Sequence, residues 1–144
     1  MNGHGDARAA AAIRFFETLT AADVAAMDSL YTADVWFKDP FNEVSGLAAV
    51  QRIFAHMFES LDAPRFHVLS ALVEGDQCFL TWDFVFRMQG HALVRHIHGS
   101  SHLRFAADGR IAYHRDYLDA AGELYETLPL LGAILRWIKR RLSA

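Results

Sequence analysis

Two aspartates and a histidine are the residues of this sequence best suited to acid–base chemistry. Asp39 ends a short run of strand-forming residues, and His114 and Asp116 lie two positions apart in another such run. Residues two apart on a strand point to the same face, so His114 and Asp116 share one side of a sheet. A carboxyl group held among apolar side chains resists ionisation, which brings its pKa towards the range useful for proton transfer. We therefore predict Asp39, His114 and Asp116 as catalytic residues.

The same three residues also admit a structural interpretation. His114 and Asp116 can pair with each other and tie the last strand to a helix without taking part in any reaction. Asp39 is open to both interpretations as well. The types and spacing of these residues leave the two alternatives open.

Apolar side chains share the predicted inner face with these polar groups. Every second residue from Cys78 to Phe86 is apolar, and Ile97, Ser101 and Leu103 continue that face on the next strand, where Gly99 leaves space. Core packing accounts for many aromatic residues, so only part of such a set lines a pocket. We predict a pocket for a small apolar molecule, with these ligand-binding residues: Phe15, Tyr31, Phe37, Phe54, Phe58, Trp82, Phe84, Ser101 and Leu118.

The elements that must position these residues follow from hydrophobic periodicity. Helical spacing predicts helices over residues 9–19, 24–31 and 47–61, the last one stopped by Pro64. Alternation and turn residues predict strands over 35–39, 66–73, 78–88, 93–105 and 110–117. Helical sequence resumes at Asp119 and ends in an amphipathic helix over about 130–142. This order predicts a single α+β domain over residues 1–144, with helices on one face of a curved antiparallel sheet.

Composition excludes several functional classes. The chain has 144 residues, 53% of them hydrophobic, and a net charge of −3 with no basic stripe, so no nucleic-acid partner is predicted. The single cysteine, Cys78, lies in an apolar strand and is predicted to be an inert buried thiol. No apolar run reaches membrane-spanning length and no secretory signal is recognisable at the start, which predicts a cytoplasmic protein without membrane attachment.

Three histidines lie on the opposite, outer face of the predicted sheet. His96, His98 and His102 alternate with the inward residues of their strand. Histidines two apart can bind a metal, but a solvated or interfacial sheet face is the commoner cause of this pattern. The sequence therefore predicts no metal site and no cofactor.

Three short stretches resemble one known superfamily. They are the segment 30–35 leading to Lys38-Asp39-Pro40-Phe41, the pair Leu103-Arg104-Phe105 and Asp108-Gly109-Arg110-Ile111, and Arg115-Asp116-Tyr117-Leu118-Asp119. Their order and spacing resemble the ketosteroid isomerase / nuclear transport factor 2-like superfamily, which includes SnoaL-like polyketide cyclases and limonene epoxide hydrolases. The resemblance implies a cone-shaped sheet with helices packed on its concave face. It also implies a homodimer formed through the outer sheet face.

The resemblance assigns roles to single residues without completing either catalytic set. Asp39 matches the catalytic base of the isomerases, but the two positions of their oxyanion hole hold Phe15 and Ser101. Asp116 matches one aspartate of the epoxide hydrolases, whose Arg and Asp partners have no counterpart near residues 82–84. The expected function is binding of a small apolar or polycyclic ligand, with isomerase, cyclase or hydrolase activity through carboxylate acid–base chemistry. The alternative is a non-catalytic module for ligand binding or dimerisation.

Overall fold

The computed structural model describes residues 3–118, apart from the side chain of residue 4. In this region a 3-10 turn (Gly3–Gly5), a 3-10 helix (Ala21–Ser29) and two α-helices accompany six strands. The α-helices are α1 (Ala7–Glu17) and α2 (Leu47–Ser60). The strands are β1 (Tyr31–Lys38), β2 (Glu43–Ser45), β3 (Leu61–Glu74), β4 (Gln77–Met88), β5 (Val94–Phe105) and β6 (Ile111–Leu118).

The strands form one open sheet in the order β2-β1-β6-β5-β4-β3. The meander from β3 to β6 is antiparallel, as predicted, and β1 and β2 form an antiparallel hairpin. However, β1 and β6 run parallel, so the sheet is mixed. The parallel pair arises because the chain leaves β1 through β2 and α2, begins the meander at the far edge, and returns with β6 beside β1. The first and last long strands, which carry the predicted polar residues, are therefore neighbours.

The helices pack on one face of this sheet. Helix α1 lies against β3, and α2 lies against β1, β3 and the 3-10 helix. The core between the two layers includes Phe16, Val50, Phe54 and Leu103, each of them buried. This confirms the predicted α+β arrangement with helices on one side. Within residues 3–118, no helix is long and apolar enough to cross a membrane.

The strands divide their side chains between two faces as alternation predicts. Phe37 is buried, whereas its neighbour Trp36 lies on the outer face, where its ring stacks on that of Tyr113 at 4.9 Å. On β4 the buried residues include Cys78 and Trp82. Burial raises the pKa of the Cys78 thiol to about 11, which agrees with the prediction of an inert thiol.

Two predicted boundaries are wrong, and both errors concern where a helix gives way to a strand. The helix predicted over 24–31 is a 3-10 helix that ends at Ser29, and Tyr31 already belongs to β1. The backbone N–H of Ile111 bonds to the Leu30 carbonyl, so pairing with β6 draws this segment into the sheet. Strand β3 begins at Leu61, directly after α2, and Pro64 lies in an irregularity of its pairing, where no N–H is needed. The helices predicted after Asp119 lie outside the described residues.

Candidate functional site

A chain of hydrogen-bonded side chains crosses the inner face of four adjacent strands. The Tyr31 hydroxyl lies 2.7 Å from His114 Nδ1, and His114 Nε2 lies 2.6 Å from Asp116 Oδ1. The Ser101 hydroxyl donates to the same Asp116 oxygen at 2.5 Å, and Trp82 Nε1 donates to Ser101 Oγ at 2.9 Å. Ser101 and Asp116 are direct cross-strand partners of β5 and β6. We call this set of five residues the polar chain.

The proton positions in the polar chain follow from its partners. Burial raises the pKa of Tyr31 well above its ordinary value, with a further contribution from the charge of Asp116, so the hydroxyl stays protonated. With the Tyr31 hydroxyl as the donor to Nδ1, the imidazole hydrogen lies on Nε2, which donates it to Asp116. Oδ1 of Asp116 thus accepts two hydrogen bonds. Its other oxygen, Oδ2, has no hydrogen-bond partner among residues 3–118.

Aromatic rings fix the orientation of His114, of which only 3% is exposed. Phe37 lies directly across from it in the β1–β6 pair, with ring centroids 4.8 Å apart. Phe16 meets the imidazole edge-on at 5.7 Å, and Tyr31 stacks on it at 5.9 Å. A ring held on three sides cannot turn away from Asp116 without leaving a void.

Asp39 is held by the turn that follows β1. Its Oδ1 accepts hydrogen bonds from the backbone N–H groups of Phe41 (2.8 Å) and Asn42 (2.7 Å), and the Asn42 side-chain amide contacts both carboxylate oxygens at 3.2 Å. Burial raises the pKa of Asp39; these hydrogen bonds oppose the rise, and the charge of Asp116 adds to it. Asn42 is itself buried, and its Oδ1 has no partner among the described residues.

The raised pKa of Asp39 predicts a pH dependence of stability. The folded protein holds this proton to higher pH than the unfolded chain does, so the stabilisation is complete at low pH and is lost as pH rises through the folded-state pKa. Asp39→Asn removes the titrating carboxyl group. As pH rises through the folded-state pKa of Asp39, we therefore expect the free energy of unfolding of this variant to fall less than that of the wild type. Urea unfolding at a series of pH values measures the difference. Asp34→Asn, which changes an exposed carboxylate of β1, is the control and should follow the wild type. Parallel pH profiles of the wild type and Asp39→Asn would contradict the assignment.

Two cavities lie beside these groups, between the sheet and the helices. The large cavity has a volume of about 170 Å³ and the small cavity about 20 Å³. Both are mainly apolar, and four residues line both: Phe54, Phe66, Trp82 and Asp116. Asp39 and Asn42 belong to the large cavity, whereas Ser101 and His114 belong to the small one. Asp116 is the carboxylate that reaches both.

Most residues predicted to bind ligand surround these two spaces. Of that set, Phe37, Phe54, Trp82, Phe84 and Leu118 line the large cavity, and Ser101 lines the small one. Tyr31 lies behind His114 and contacts the site through it. Phe15 and Phe58 line neither cavity and pack against the core instead. Phe58 follows Met57 on α2 by one residue, about 100° around the helix, and Met57 is the one of these two that lines the large cavity.

Several lining residues were missed in the sequence. Asn42 is one of them, and the spacing Asp39-Pro40-Phe41-Asn42 is a signal that can find it, since Asp followed by Pro commonly opens a turn. Ile53, Met57 and Ser60 present one face of α2 to the large cavity at helical spacing. Phe66 lines both cavities from β3, and its ring stacks on that of Phe84 at 4.5 Å.

The outer sheet face carries a row of rings in contact with one another. Phe79, His102, Tyr113 and Trp36 follow one another across β4, β5, β6 and β1, with centroid distances of 4.3, 5.0 and 4.9 Å. Arg104 lies over the Tyr113 ring at 5.1 Å. His98 pairs with Asp83 at 2.9 Å, and within residues 3–118 no group of three or more His, Cys, Asp or Glu side chains is placed to hold a metal. We call this row the outer aromatic row.

Comparisons with known proteins agree on the fold. The chain is similar to a putative SnoaL-like polyketide cyclase from Shewanella denitrificans, with a TM-score of 0.72 and 17% identity over 86% of this chain and 98% of that one. An LEH-like epoxide hydrolase from M. tuberculosis has a TM-score of 0.67 and 19% identity, covering 86% of this chain and 94% of its own. A protein with a ketosteroid isomerase-like fold from Catenulispora acidiphila, in complex with trimethylamine, has a TM-score of 0.70 and 15% identity, covering 83% and 91%.

These similarities support the predicted cone-shaped fold, and at such low identities they concern the fold alone. No protein of curated function matches the sequence. The sequence does match the family of SnoaL-like domains over residues 12–114, well over half of its length. The chain therefore belongs to the SnoaL-like domain family.

Proposed function

We propose that this protein binds a small, largely apolar molecule in the large cavity and transfers a proton on it, with Asp116 as the base. The observation that carries the proposal is the state of this carboxylate. Its Oδ1 is fixed by His114 and Ser101, while Oδ2 has no hydrogen-bond partner among residues 3–118, and Asp116 lines an aromatic-rich cavity. A base needs such a combination, because its orientation is set and its reacting oxygen is not engaged elsewhere.

Asp39 is proposed as the second proton-carrying group. It lines the same cavity, and its raised pKa makes it easier to protonate than an ordinary aspartate. An isomerisation or cyclisation needs a proton removed at one atom and returned at another, which two carboxyl groups of different proton affinity can do. The name of the Shewanella protein, a putative polyketide cyclase, is compatible with this class of reaction.

The isomerase type of oxyanion hole is not available here. The Ser101 hydroxyl already donates to Asp116, and Phe15 lacks a donor and lies outside both cavity linings. Among the described residues that line the large cavity, a protonated Asp39 is a group that can stabilise negative charge on the ligand. This same observation favours a second candidate function, a binding protein without catalysis.

A nitro-substituted benzisoxazole tests the proposal without knowledge of the natural substrate. When a base removes the proton from its ring carbon, the electron pair breaks the N–O bond and a coloured cyanophenolate forms. We expect the wild type to accelerate this elimination above free acetate at equal concentration, with saturation, because the carboxylate acts inside an apolar cavity. A protein that binds the probe and gives no acceleration would contradict the catalytic proposal and support the second candidate.

We also propose that two copies of the chain associate through the outer aromatic row. Phe79 and its cross-strand neighbour Leu72 are 48% and 58% exposed, and adjacent exposed apolar side chains of this kind mark an interface. We expect Phe79→Lys to convert a dimer to a monomer in analytical ultracentrifugation. Leu93→Lys is the matched control, since Leu93 is 61% exposed but lies in the turn before β5. A wild type that sediments as a monomer at high concentration would contradict the proposal.

A further inference from the structure

A wall of side chains lies between the two cavities. Trp82 lines both cavities, together with Phe54, Phe66 and Asp116. Its indole is therefore part of the wall between the large cavity, which has room for a ligand, and the small cavity, which has room for a water molecule. We propose that Trp82, seated on Gly99, sets the upper size of the ligand and limits the site to compact aromatic molecules of one or two rings. This inference rests on the proposed binding of an apolar molecule in the large cavity and adds its size class.

Three contacts hold the indole in place. Its Nε1 donates to Ser101 at 2.9 Å, and Phe66 meets it edge-on with ring centroids 5.5 Å apart. The six-membered ring lies on Gly99, its cross-strand partner: a β-carbon added there would be 2.5 Å from Trp82 Cη2 and 2.8 Å from Cζ2. Only glycine allows the indole to lie this close to β5. The space predicted at Gly99 is therefore filled by Trp82.

The volumes set the size class. An apolar cavity of roughly 150 Å³ is enough to bind benzene, and the large cavity is only slightly bigger, at about 170 Å³. A third fused ring would need space now occupied by the indole, with the small cavity of about 20 Å³ behind it. The proposed ligands are therefore smaller than the polycyclic molecules that the sequence also allowed.

The same indole connects ligand size to the base. Trp82 donates to Ser101, and Ser101 donates to Asp116. A molecule large enough to displace the indole would break the first of these bonds and release the hydroxyl that fixes Oδ1. Oversized ligands would therefore bind poorly and also meet a less well-oriented carboxylate.

Phenol, naphthol and phenanthrol test the proposal, since they share one hydroxyl and differ in ring number. Calorimetric titration of the wild type is expected to show binding of phenol or naphthol and at least about tenfold weaker binding of phenanthrol. Trp82→Phe opens the wall beside Gly99 and should improve phenanthrol binding relative to naphthol by about tenfold. Trp36→Phe is the matched control: it makes the same substitution on the outer face and should leave all affinities unchanged.

Gly99→Ala makes the opposite change and keeps the test decisive if Trp82→Phe does not fold. Its methyl group would push the indole into the large cavity, so we expect naphthol binding to weaken about tenfold. Equal affinity of the wild type for naphthol and phenanthrol, or failure of all three phenols to bind, would overturn the inference. If the protein selects ligands by size but does not catalyse the benzisoxazole elimination, the proposed role of Trp82 is supported and only the catalytic proposal is wrong.

Discussion

Asp116→Asn is expected to lower the rate of benzisoxazole elimination by about 10²- to 10⁴-fold, the usual contribution of a positioned general base. Asparagine has nearly the same shape and still offers an oxygen to the hydrogens of His114 and Ser101, so the fold should be kept. What it lacks is an oxygen that can take a proton from the ligand. Stopped-flow or plate-based absorbance of the phenolate product, at several probe concentrations, separates the change in kcat from that in KM.

Two further variants test whether the loss of activity is specific to Asp116. Asp39→Asn should have a smaller effect on the elimination, because the phenolate product does not need a returned proton and Asp39 is already engaged by the turn. Asp83→Asn removes a carboxylate from the outer face and should leave the rate unchanged. If Asp39→Asn abolished the reaction while Asp116→Asn retained it, the base would be Asp39 and the assignment of Asp116 would be wrong.

His114→Ala is expected to destabilise the folded protein by about 3 kcal/mol or more, because it combines a large-to-small change in the core with the loss of buried hydrogen bonds. The ring is 3% exposed and packed among Phe16, Tyr31 and Phe37. Its removal also leaves the Tyr31 hydroxyl without its partner in the polar chain. Urea unfolding followed by far-UV circular dichroism measures the loss.

Two control variants test whether the loss of stability is specific to the position of His114. His91→Ala, on an exposed turn, should change stability by no more than about 0.5 kcal/mol. His114→Gln keeps a donor and an acceptor and is expected to recover part of the stability. Equal effects of His114→Ala and His91→Ala would mean that the polar chain does not stabilise the fold.

Both interpretations of His114 in the sequence, structural and catalytic, are compatible with this geometry, since the ring packs in the core and also orients Asp116.

The assignment of side chains to the two sheet faces was available from the sequence. On β1 and β6, alternation alone placed Phe37, His114 and Asp116 on one face and Trp36 and Tyr113 on the other, and the structure agrees. The reason is local: successive residues of a strand point to opposite sides, so the pattern follows from the period of two without knowledge of the neighbours. The order of the helices and the long strands was likewise predictable from hydrophobic periodicity, whereas the short strand β2 was not predicted.

The partners of those side chains were decided only by the tertiary structure. Tyr31 and His114 are 83 positions apart, and they meet because β1 lies parallel to β6, a pairing that no local pattern specifies. Pairing with β6 also made Tyr31 part of a strand rather than of the predicted helix. Likewise, the sequence predicts empty space at Gly99, but the register of β4 against β5 places the Trp82 indole in that space. Local periodicity determined which residues face inward, whereas long-range strand pairing decided that one oxygen of Asp116 accepts hydrogen bonds from two donors, while the other has no partner within residues 3–118.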